Sequence, residues 1–564
     1  MTYRIYDEQA DSGRSIYIYE DNEKKVPLNS RYSPEKEADR FLKKLNDTKK
    51  QFVILIGFGN GALLDRLVEN DILEKNIHFF FIEPFSEIEL SSNHFSLIKE
   101  HDKLSYVNFK NFTAMTVTNY LSKFSSVPVS IHVHPNYLKA NQSLVKDCLK
   151  VIHEGIETKQ ILNNTEMQFA LDWIIEPLLN TEHISKSINI QSLKECFKGE
   201  RAILIAAGPS LQEHIPFLKE NQDSFHLFAV GPALRPLLAN DIHPDYALSI
   251  DASDRNYETH FKGLNYEGTL VYETISNSSI QSKHNGELIV SRSLGDYVTS
   301  RFFKELVAFS QSSPSVAVFA LQVIAYLGFS EIYLVGQDLA LVKGNYYAEG
   351  IKHHEGMEDL KDELWVKNNL GDLVGTTRSL KIFLDTFEAL IKKLPDNITI
   401  YNLSEHGAKI EGTTFISSNV IKKTGPKNII SYDKNPIQLS SDKNLNISIA
   451  DFLNQLDLLK IEVSEASRHL KRYIKNGIVS SDDMARVVKR FYKVTKHKVL
   501  EEIILSRITF MFDSIINKFA YFDEKLKYTS GDLLHLVNEL DRFYELVETY
   551  IDRLLTDKRI MKYK

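Results

Sequence analysis

Cysteine is scarce in this sequence, since Cys148 and Cys196 are the only two among 564 residues. So few cysteines argue against a disulfide framework, and the lack of a CxxC pair leaves no cysteine motif for zinc. Long apolar runs are also missing, because no stretch reaches the roughly 18 residues of a membrane-spanning helix. The first eight residues lack the apolar core of a secretory signal. We therefore expect a cytoplasmic protein without membrane insertion.

Charge of one sign is lacking as well. With 68 basic and 75 acidic residues the net charge is −7, so no overall field favours nucleic acid as a partner. A hydrophobic content of 43% is ordinary for soluble proteins, but 564 residues are too many for one core. We expect a Rossmann-like N-terminal domain (1–185), a central catalytic domain (186–420), a linker (421–446) and an α-helical C-terminal domain (447–564).

Residues 201–211 read Arg-Ala-Ile-Leu-Ile-Ala-Ala-Gly-Pro-Ser-Leu and predict the key unit of the central domain. The apolar run 202–206 predicts a strand that is buried on both faces. Gly208, Pro209 and Ser210 then predict a tight turn into a helix. In doubly wound sheets such a turn presents backbone N–H groups to a phosphate, although any α/β protein contains strand-to-helix turns.

Further apolar runs predict parallel strands of the same sheet at 225–230, 246–250, 269–273, 287–290 and 331–335. Ligands bind outside the carboxyl ends of parallel strands, so the residues at these ends should share one edge. The central domain is therefore predicted to be a doubly wound α/β sheet with one ligand-binding edge. The candidate residues on that edge are Gly208, Pro209, Ser210, Gly231, Asp251, Thr274, Ser315, Gly336, Gln337 and Asp338.

Three ionisable residues are candidates for catalysis. Asp251 follows a predicted strand, where a carboxylate suits a general base, a metal ligand, a partner for a sugar hydroxyl, or a cap or salt bridge. His353 and His354 lie in a polar segment that resembles a lid, and either imidazole suits a base near neutral pH. The two histidines also fit ordinary surface positions.

The N-terminal region carries a second strand–turn–helix pattern. A predicted strand at 52–56 precedes Gly57-Phe-Gly-Asn-Gly61, and a strand at 78–82 ends in Glu83. This is a Rossmann-like pattern, in which Glu83 either binds the ribose of a nucleotide or of S-adenosylmethionine, or belongs to a scaffold without ligand. Residues 141–185 predict helices that are interrupted at Pro177.

The central motifs resemble those of the Maf motility-associated factors, which are flagellin glycosyltransferases, and of the archaeal hydroxymethyldihydropterin diphosphokinases. The residues that carry this resemblance are 207–211, 237–245, 249–251 and 335–338. A more distant similarity is to bacterial sialyltransferases that use CMP-sialic acid. Residues 208–211 are similar to their cytidine-nucleotide loop, 313–315 to their second nucleotide segment, and Tyr346 or Tyr347 to a phosphate-binding tyrosine.

Two positions depart from these families. Ala206 stands where the sialyltransferases have a first glycine, and their catalytic histidine aligns near Thr376. Because threonine cannot serve as the same base, Asp251, His353 or His354 would have to replace it.

The resemblance implies transfer of a pseudaminic or legionaminic type of nonulosonic acid from CMP to Ser or Thr of flagellin, in support of flagellum assembly and motility. The CMP-sugar is then the donor substrate and no cofactor is required. Two alternatives remain open. One is a pterin pyrophosphokinase that uses ATP and magnesium held by Asp251, Asp254 and Asp338. The other is a non-catalytic chaperone that binds flagellin.

The C-terminal region contains two apolar stripes at helical spacing, which begin at Ile449 and at Leu533. This pattern favours helices that pack into a core. The resemblance implies in addition that the helical domain docks flagellin.

Overall fold

A computed structural model describes residues 3–45, 51–74, 77–123, 128–309, 313–342, 344–348, 364–422, 425–429, 437–440, 444–477, 479–509, 512, 515 and 529–564. The chain divides into two compact units. The N-terminal unit comprises Met1–Thr165, Arg468–Arg490 and Ile508–Phe543, and the central unit comprises Glu166–Ser467, Phe491–Arg507 and Tyr544–Lys564.

The N-terminal unit contains a small antiparallel sheet and a parallel sheet. The antiparallel sheet has β1 (Arg4–Gln9), β2 (Ser15–Glu20) and β3 (Lys25–Pro27). The parallel sheet has β4 (Gln51–Ile56), β5 (Ile77–Glu83), β6 (Leu104–Asn108) and β7 (Val129–Val133) in the order β6-β5-β4-β7. This parallel arrangement confirms the Rossmann-like prediction for the region.

The central unit is built on a nine-stranded parallel sheet in the order β18-β17-β14-β9-β10-β11-β12-β13-β8. Its strands are β8 (Ile188–Asn189), β9 (Arg201–Ile205), β10 (His226–Val230), β11 (Tyr246–Ser249), β12 (Thr269–Glu273), β13 (Leu288–Ser291), β14 (Glu331–Val335), β17 (Thr399–Asn402) and β18 (Thr414–Phe415). An antiparallel hairpin, β15 (Leu364–Lys367) and β16 (Leu373–Thr376), is inserted after β14. The predicted fold class is thereby confirmed.

Helices connect these strands and form the C-terminal region. They are α1 (Pro34–Leu42), α2 (Ala62–Glu69), α3 (Ser92–Glu100), α4 (Ala114–Lys123), α5 (Pro135–Ala140), α6 (Gln142–Phe169), α7 (Asp172–Ile184), α8 (Leu211–Asn221), α9 (Gly231–Ala239), α10 (Asp254–Asn256), α11 (Ser278–Lys283), α12 (Val316–Leu327), α13 (Arg378–Ile391), α14 (Leu445–Asn476), α15 (Ser481–Thr495), α16 (Leu505–Arg507), α17 (Ser530–Thr556) and α18 (Lys558–Met561).

The core of the central unit lies between the sheet and its covering helices. The strands in the middle of the sheet are apolar along their length because both of their faces are covered, as the fully buried β10 shows. Helix α12 is apolar nearly all round and packs on β9, β10 and β11. Each fully buried Val, Leu or Ile of such a core contributes about 1.5–3 kcal/mol, so this layer fixes the ends of the strands firmly.

The predicted helix break at Pro177 is wrong. The helix runs through Pro177, and the break in 141–185 instead falls between Phe169 and Asp172. A proline inside a helix loses one backbone hydrogen bond. Here the residues around it, from Ile174 to Thr181, are buried, so packing offsets the loss.

The two C-terminal apolar stripes are core, as their spacing indicates. Each of the stripe residues on α14 and α17 is buried: Ile449, Phe452, Leu453, Leu456, Leu459, Val463, Leu533, Leu536, Val537, Leu540, Tyr544, Val547 and Ile551. Among the described residues, no helix is both long and apolar enough to cross a bilayer.

Candidate functional site

The direction of strand progression reverses between β9 and β14, which are neighbours in the central sheet. Their carboxyl ends meet closely, because Ala206 N–H donates to Val335 O (2.8 Å) and Gly208 N–H donates to Gly336 O (2.8 Å). A Cβ at Gly208 would lie 2.5 Å from Gly336 O, so only glycine fits at this crossing. In open α/β sheets a ligand crevice forms at such a reversal. We call the region between these two strand ends the crevice.

Asp338 joins three loops at the crevice. Its Oδ2 accepts a hydrogen bond from Ser210 N–H (2.8 Å), its Oδ1 accepts one from the Ser404 hydroxyl, and its carbonyl accepts one from Ala408 N–H (2.6 Å). The side chain is only 2% exposed, and this burial raises the pKa of the Asp338 carboxyl. Asp338 therefore positions the loops after β9 and β17 and does not face solvent.

The turn at 208–210 uses its own N–H groups within the protein. Gly208 and Ser210 donate as described above, Leu211 N–H donates to Gly208 O (3.0 Å), and Pro209 has no N–H. A phosphate at this turn would have to displace the Asp338 carboxylate. Phosphate binding by this turn stays a prediction.

The N-terminus of α12 offers such donors. Within the described residues, Val316 and Ala317 make no hydrogen bond through their N–H groups, while the Ser315 hydroxyl accepts from Val318 N–H (3.4 Å). Because α12 leads directly into β14 and packs across β9 and β10, its N-terminus lies at the carboxyl edge of the sheet. Free N–H groups and the helix dipole favour an anion there.

Two tyrosines lie beside the loop after β9. Ala348 N–H donates to Ala207 O (3.0 Å), which brings Tyr346 and Tyr347 to the same strand end. Their rings contact each other edge to face at 4.7 Å. Burial raises the pKa of both phenols, so both hydroxyl groups remain protonated donors at neutral pH.

Three candidates from the sequence are used for packing. A Cβ at Gly231 would lie 2.7 Å from the Phe261 ring, so this glycine makes room for an aromatic side chain. Thr274 is fully buried, and its hydroxyl donates to Asp296 Oδ2 (2.5 Å). Gln337 is 4% exposed. These residues shape the edge of the sheet and do not line an open surface.

Asp251 is exposed at the carboxyl end of β11, and its Oδ1 accepts a hydrogen bond from Ser253 N–H (2.8 Å). Burial and the charges of Asp254 and Asp251 raise the pKa of the nearby Asp172. Asp251 and Asp338 follow β11 and β14, and these strands lie three strand spacings of about 4.8 Å apart in the sheet. The three aspartates of the pyrophosphokinase alternative are thus not gathered. In the described parts of the chain, no group of three or more His, Cys, Asp or Glu residues is placed to hold a metal.

His353 and His354 lie outside the described residues. Thr376, which aligns near the sialyltransferase histidine, is fully buried and donates to Leu339 O (2.9 Å), so it is a structural residue. Leu339 itself has φ +49°, an uncommon conformation for a branched apolar residue that often marks functional sites.

The loop after β17 adds two residues that sequence reasoning did not assign. Gly407 N–H donates to the Ser404 hydroxyl (3.2 Å), and this tight turn exposes Glu405 and His406 at the carboxyl edge. The glycine in Ser404-Glu-His-Gly407 indicates a tight turn. The position of this turn in the fold depends on Asp338, which is distant in the sequence.

The glycine-rich turn of the N-terminal unit is filled by its own side chains. Glu83 is fully buried, and its carboxylate accepts from Phe58 N–H (3.1 Å), Gly59 N–H (3.1 Å), Phe85 N–H (2.9 Å) and the Tyr137 hydroxyl (2.6 Å). Burial raises the pKa of Glu83 to about 7 in spite of these donors. Asn29 occupies the space beside Gly59. This favours the scaffold interpretation over ribose binding by Glu83.

Comparison with known proteins places one similarity on the central region. Residues 177–344 match the family model for MptE-like proteins, described as 6-hydroxymethylpterin diphosphokinase MptE-like. All the motifs quoted for the resemblance between 207 and 338 fall within these bounds. The similarity to the pterin diphosphokinases is therefore confirmed for this region.

Two further similarities cover different shares of the chain. An uncharacterized protein of Treponema pallidum (strain Nichols) is 28% identical over 109 residues, which are 19% of this chain and 49% of that protein. The match thus spans about half the length of this curated relative. A Maf glycosyltransferase structure from Magnetospirillum magneticum AMB-1 aligns with 99% of this chain and 94% of its own, at 14% identity and a TM-score of 0.49.

Proposed function

We propose that this protein is a glycosyltransferase that moves a nonulosonic acid, of pseudaminic or legionaminic type, from CMP to Ser or Thr of flagellin in the cytoplasm. The observation that carries the proposal is the pair of free N–H groups at the start of α12, at the carboxyl edge of the central sheet. The donor and the acceptor are proposed from the resemblance of the protein's motifs to those of the Maf proteins and sialyltransferases. Modified flagellin would then support flagellum assembly and motility.

The donor binds with its phosphate at the N-terminus of α12. Val316 and Ala317 donate to the phosphate oxygens, and the protonated hydroxyl of Tyr347 adds a third donor. Donors that are fixed before the reaction stabilise the negative charge of the departing CMP. CMP is a good leaving group, so this scheme requires no cofactor.

The acceptor hydroxyl loses its proton to a base at the same edge as it attacks the anomeric carbon. Asp251 is exposed two strands from β9, and Glu405 and His406 are exposed on the loop that Asp338 holds. His353 and His354 complete the set of candidates. Substitutions can show which of these five residues acts as the base.

The base is identified by comparing Asp251→Asn, Glu405→Gln, His406→Gln and the double variant His353→Ala/His354→Ala. Loss of a general base lowers kcat by about 10²–10⁴-fold, and KM changes little because binding is kept. Initial rates of CMP release with flagellin present measure both parameters. If all four variants keep the wild-type kcat, none of these residues is the base.

The function itself is tested by co-expressing the protein with flagellin and a nonulosonic acid pathway, followed by intact-mass analysis of flagellin. We expect added masses equal to whole nonulosonic acid residues, and none when the gene for the CMP-sugar synthetase is omitted. Unmodified flagellin that co-purifies with the protein would instead support the chaperone. Unmodified flagellin together with ATP-dependent diphosphorylation of a hydroxymethylpterin would support the pyrophosphokinase.

A further inference from the structure

The hairpin of β15 and β16 exposes three large apolar side chains. Trp365 is 60% exposed, Leu370 is 52% exposed and Leu373 is 66% exposed. Soluble proteins rarely leave large apolar side chains uncovered so close together, and such patches mark interaction sites. We call these three residues the hairpin patch.

The strand register explains why the patch faces outward. Trp365 pairs with Gly375 and Lys367 pairs with Leu373, and directly paired residues share one face of an antiparallel ladder. Val366 and Val374 occupy the opposite face and pack against the core of the central unit. The inner face is therefore anchored, and Gly375 has no side chain that would cover the Trp365 ring.

Backbone and side-chain hydrogen bonds hold the hairpin on the crevice. Leu341 N–H donates to Gly375 O (2.8 Å), the Thr376 hydroxyl donates to Leu339 O (2.9 Å), and Asn369 Nδ2 donates to Ser404 O (2.6 Å). Leu339 and Leu341 follow β14, and Ser404 follows β17. The hairpin patch is thus continuous with the loops that form the crevice.

We infer that the hairpin patch is the docking surface for the acceptor polypeptide, an inference that rests on the proposed function. The CMP end of the donor is polar and is met by the N–H groups of α12, so it has no use for three apolar side chains. A polypeptide that presents a hydroxyl to the crevice brings apolar neighbours of that hydroxyl with it. Tryptophan is among the residue types that carry most of the binding energy at protein interfaces, and apolar side chains beside it help to exclude water.

The test is the affinity for purified flagellin monomer, measured by surface plasmon resonance for wild type, Trp365→Ala, Leu373→Ala and Phe95→Ala. Phe95 on α3 is 59% exposed but is not part of the hairpin, so it is the matched control. We expect Kd to rise about tenfold or more for the two hairpin variants and to stay unchanged for the control. Because the substituted side chains are exposed, the melting temperature should stay the same.

Hydrolysis of the CMP-sugar to free CMP in the absence of flagellin separates this inference from the proposed function. Both hairpin variants should hydrolyse the donor at the wild-type rate. Unchanged flagellin affinity in both hairpin variants overturns the docking surface, as does Trp365-dependent dimerisation or binding to phosphatidylcholine vesicles without flagellin binding. A wild type that binds flagellin through Trp365 but neither hydrolyses nor transfers the sugar contradicts the proposed function and leaves the docking surface standing.

Discussion

Glu273 is buried at the carboxyl end of β12, where the Ser293 hydroxyl donates to its Oε2 (2.9 Å). Burial and the nearby charge of Asp296 raise the pKa of Glu273 to about 7. Asp338 is a second buried carboxylate on the same edge, but it accepts hydrogen bonds from two other loops. Burial places both carboxyl groups where water cannot solvate their charge, so the edge of the sheet is sensitive to protonation.

Glu273 should make the central unit less stable as the pH rises. Its folded pKa of about 7 lies above its ordinary value of 4.5, so the folded state holds the proton more tightly than the unfolded state. The stabilisation is complete below pH 4.5 and is lost by pH 7, which amounts to about 3 kcal/mol of unfolding free energy. Urea unfolding at several pH values gives the unfolding free energy as a function of pH. Between pH 4.5 and 7 this free energy should fall less steeply with pH for Glu273→Gln than for wild type. An equal slope in the variant would contradict the assignment.

At the residue scale the sequence indicated which positions lie at the edge but not what they do there. Asp338, Gly208 and Thr274 were predicted from strand ends, and each lies at a strand end. Their roles depend on partners far along the chain, such as Ser404 for Asp338, and no local pattern encodes such a pairing. Asp338 therefore looked like a ligand-binding group, although its polar atoms contact the protein itself.

At the scale of elements, two strand–turn–helix units look alike in sequence and differ in structure. The turn at 57–61 is closed by Glu83, Tyr137 and Asn29 of the same unit, whereas Ser210 in the turn at 208–210 donates to Asp338, which lies 128 residues further along the chain. Apolar runs located the strands to within a residue or two because burial on both faces requires them. The hairpin of β15 and β16 was not predicted, since its short strands alternate too briefly to stand out.

Gly57→Ala should destabilise the N-terminal unit without altering the donor site. A Cβ at residue 57 would lie 2.6 Å from the Tyr137 ring, and φ there is +102°. We expect a loss of about 2–4 kcal/mol in unfolding free energy from overpacking and backbone strain. Urea unfolding measures the loss, and calorimetric titration should give an unchanged CMP affinity for the folded variant. Wild-type stability combined with lost nucleotide affinity would mean that this turn binds the ligand.

At the scale of the whole molecule, the central unit draws on three separate segments of the chain. Arg301 donates to Glu502 (3.1 Å), and Arg559 donates to the buried Glu176 (3.2 Å), so C-terminal helices complete the unit that begins near residue 166. The contiguous domains expected from the sequence, with boundaries at 185, 420 and 446, stay a prediction. Contacts between distant segments leave no mark in composition, so the division into two compact units was not predictable.

Calorimetric titration of CMP into wild type, Val316→Pro and Val316→Ala tests whether the N-terminus of α12 binds the phosphate of the donor. Proline is well tolerated at the first position of a helix, and Ser315 already has the extended backbone that precedes proline, so Val316→Pro removes one N–H donor and little else. Val316→Ala keeps the N–H group and controls for the lost side chain. We expect wild type and Val316→Ala to bind CMP alike and Val316→Pro to bind it about tenfold or more weakly, with an unchanged melting temperature. No binding by the wild type, or equal affinity in all three proteins, would contradict a donor site at the start of α12.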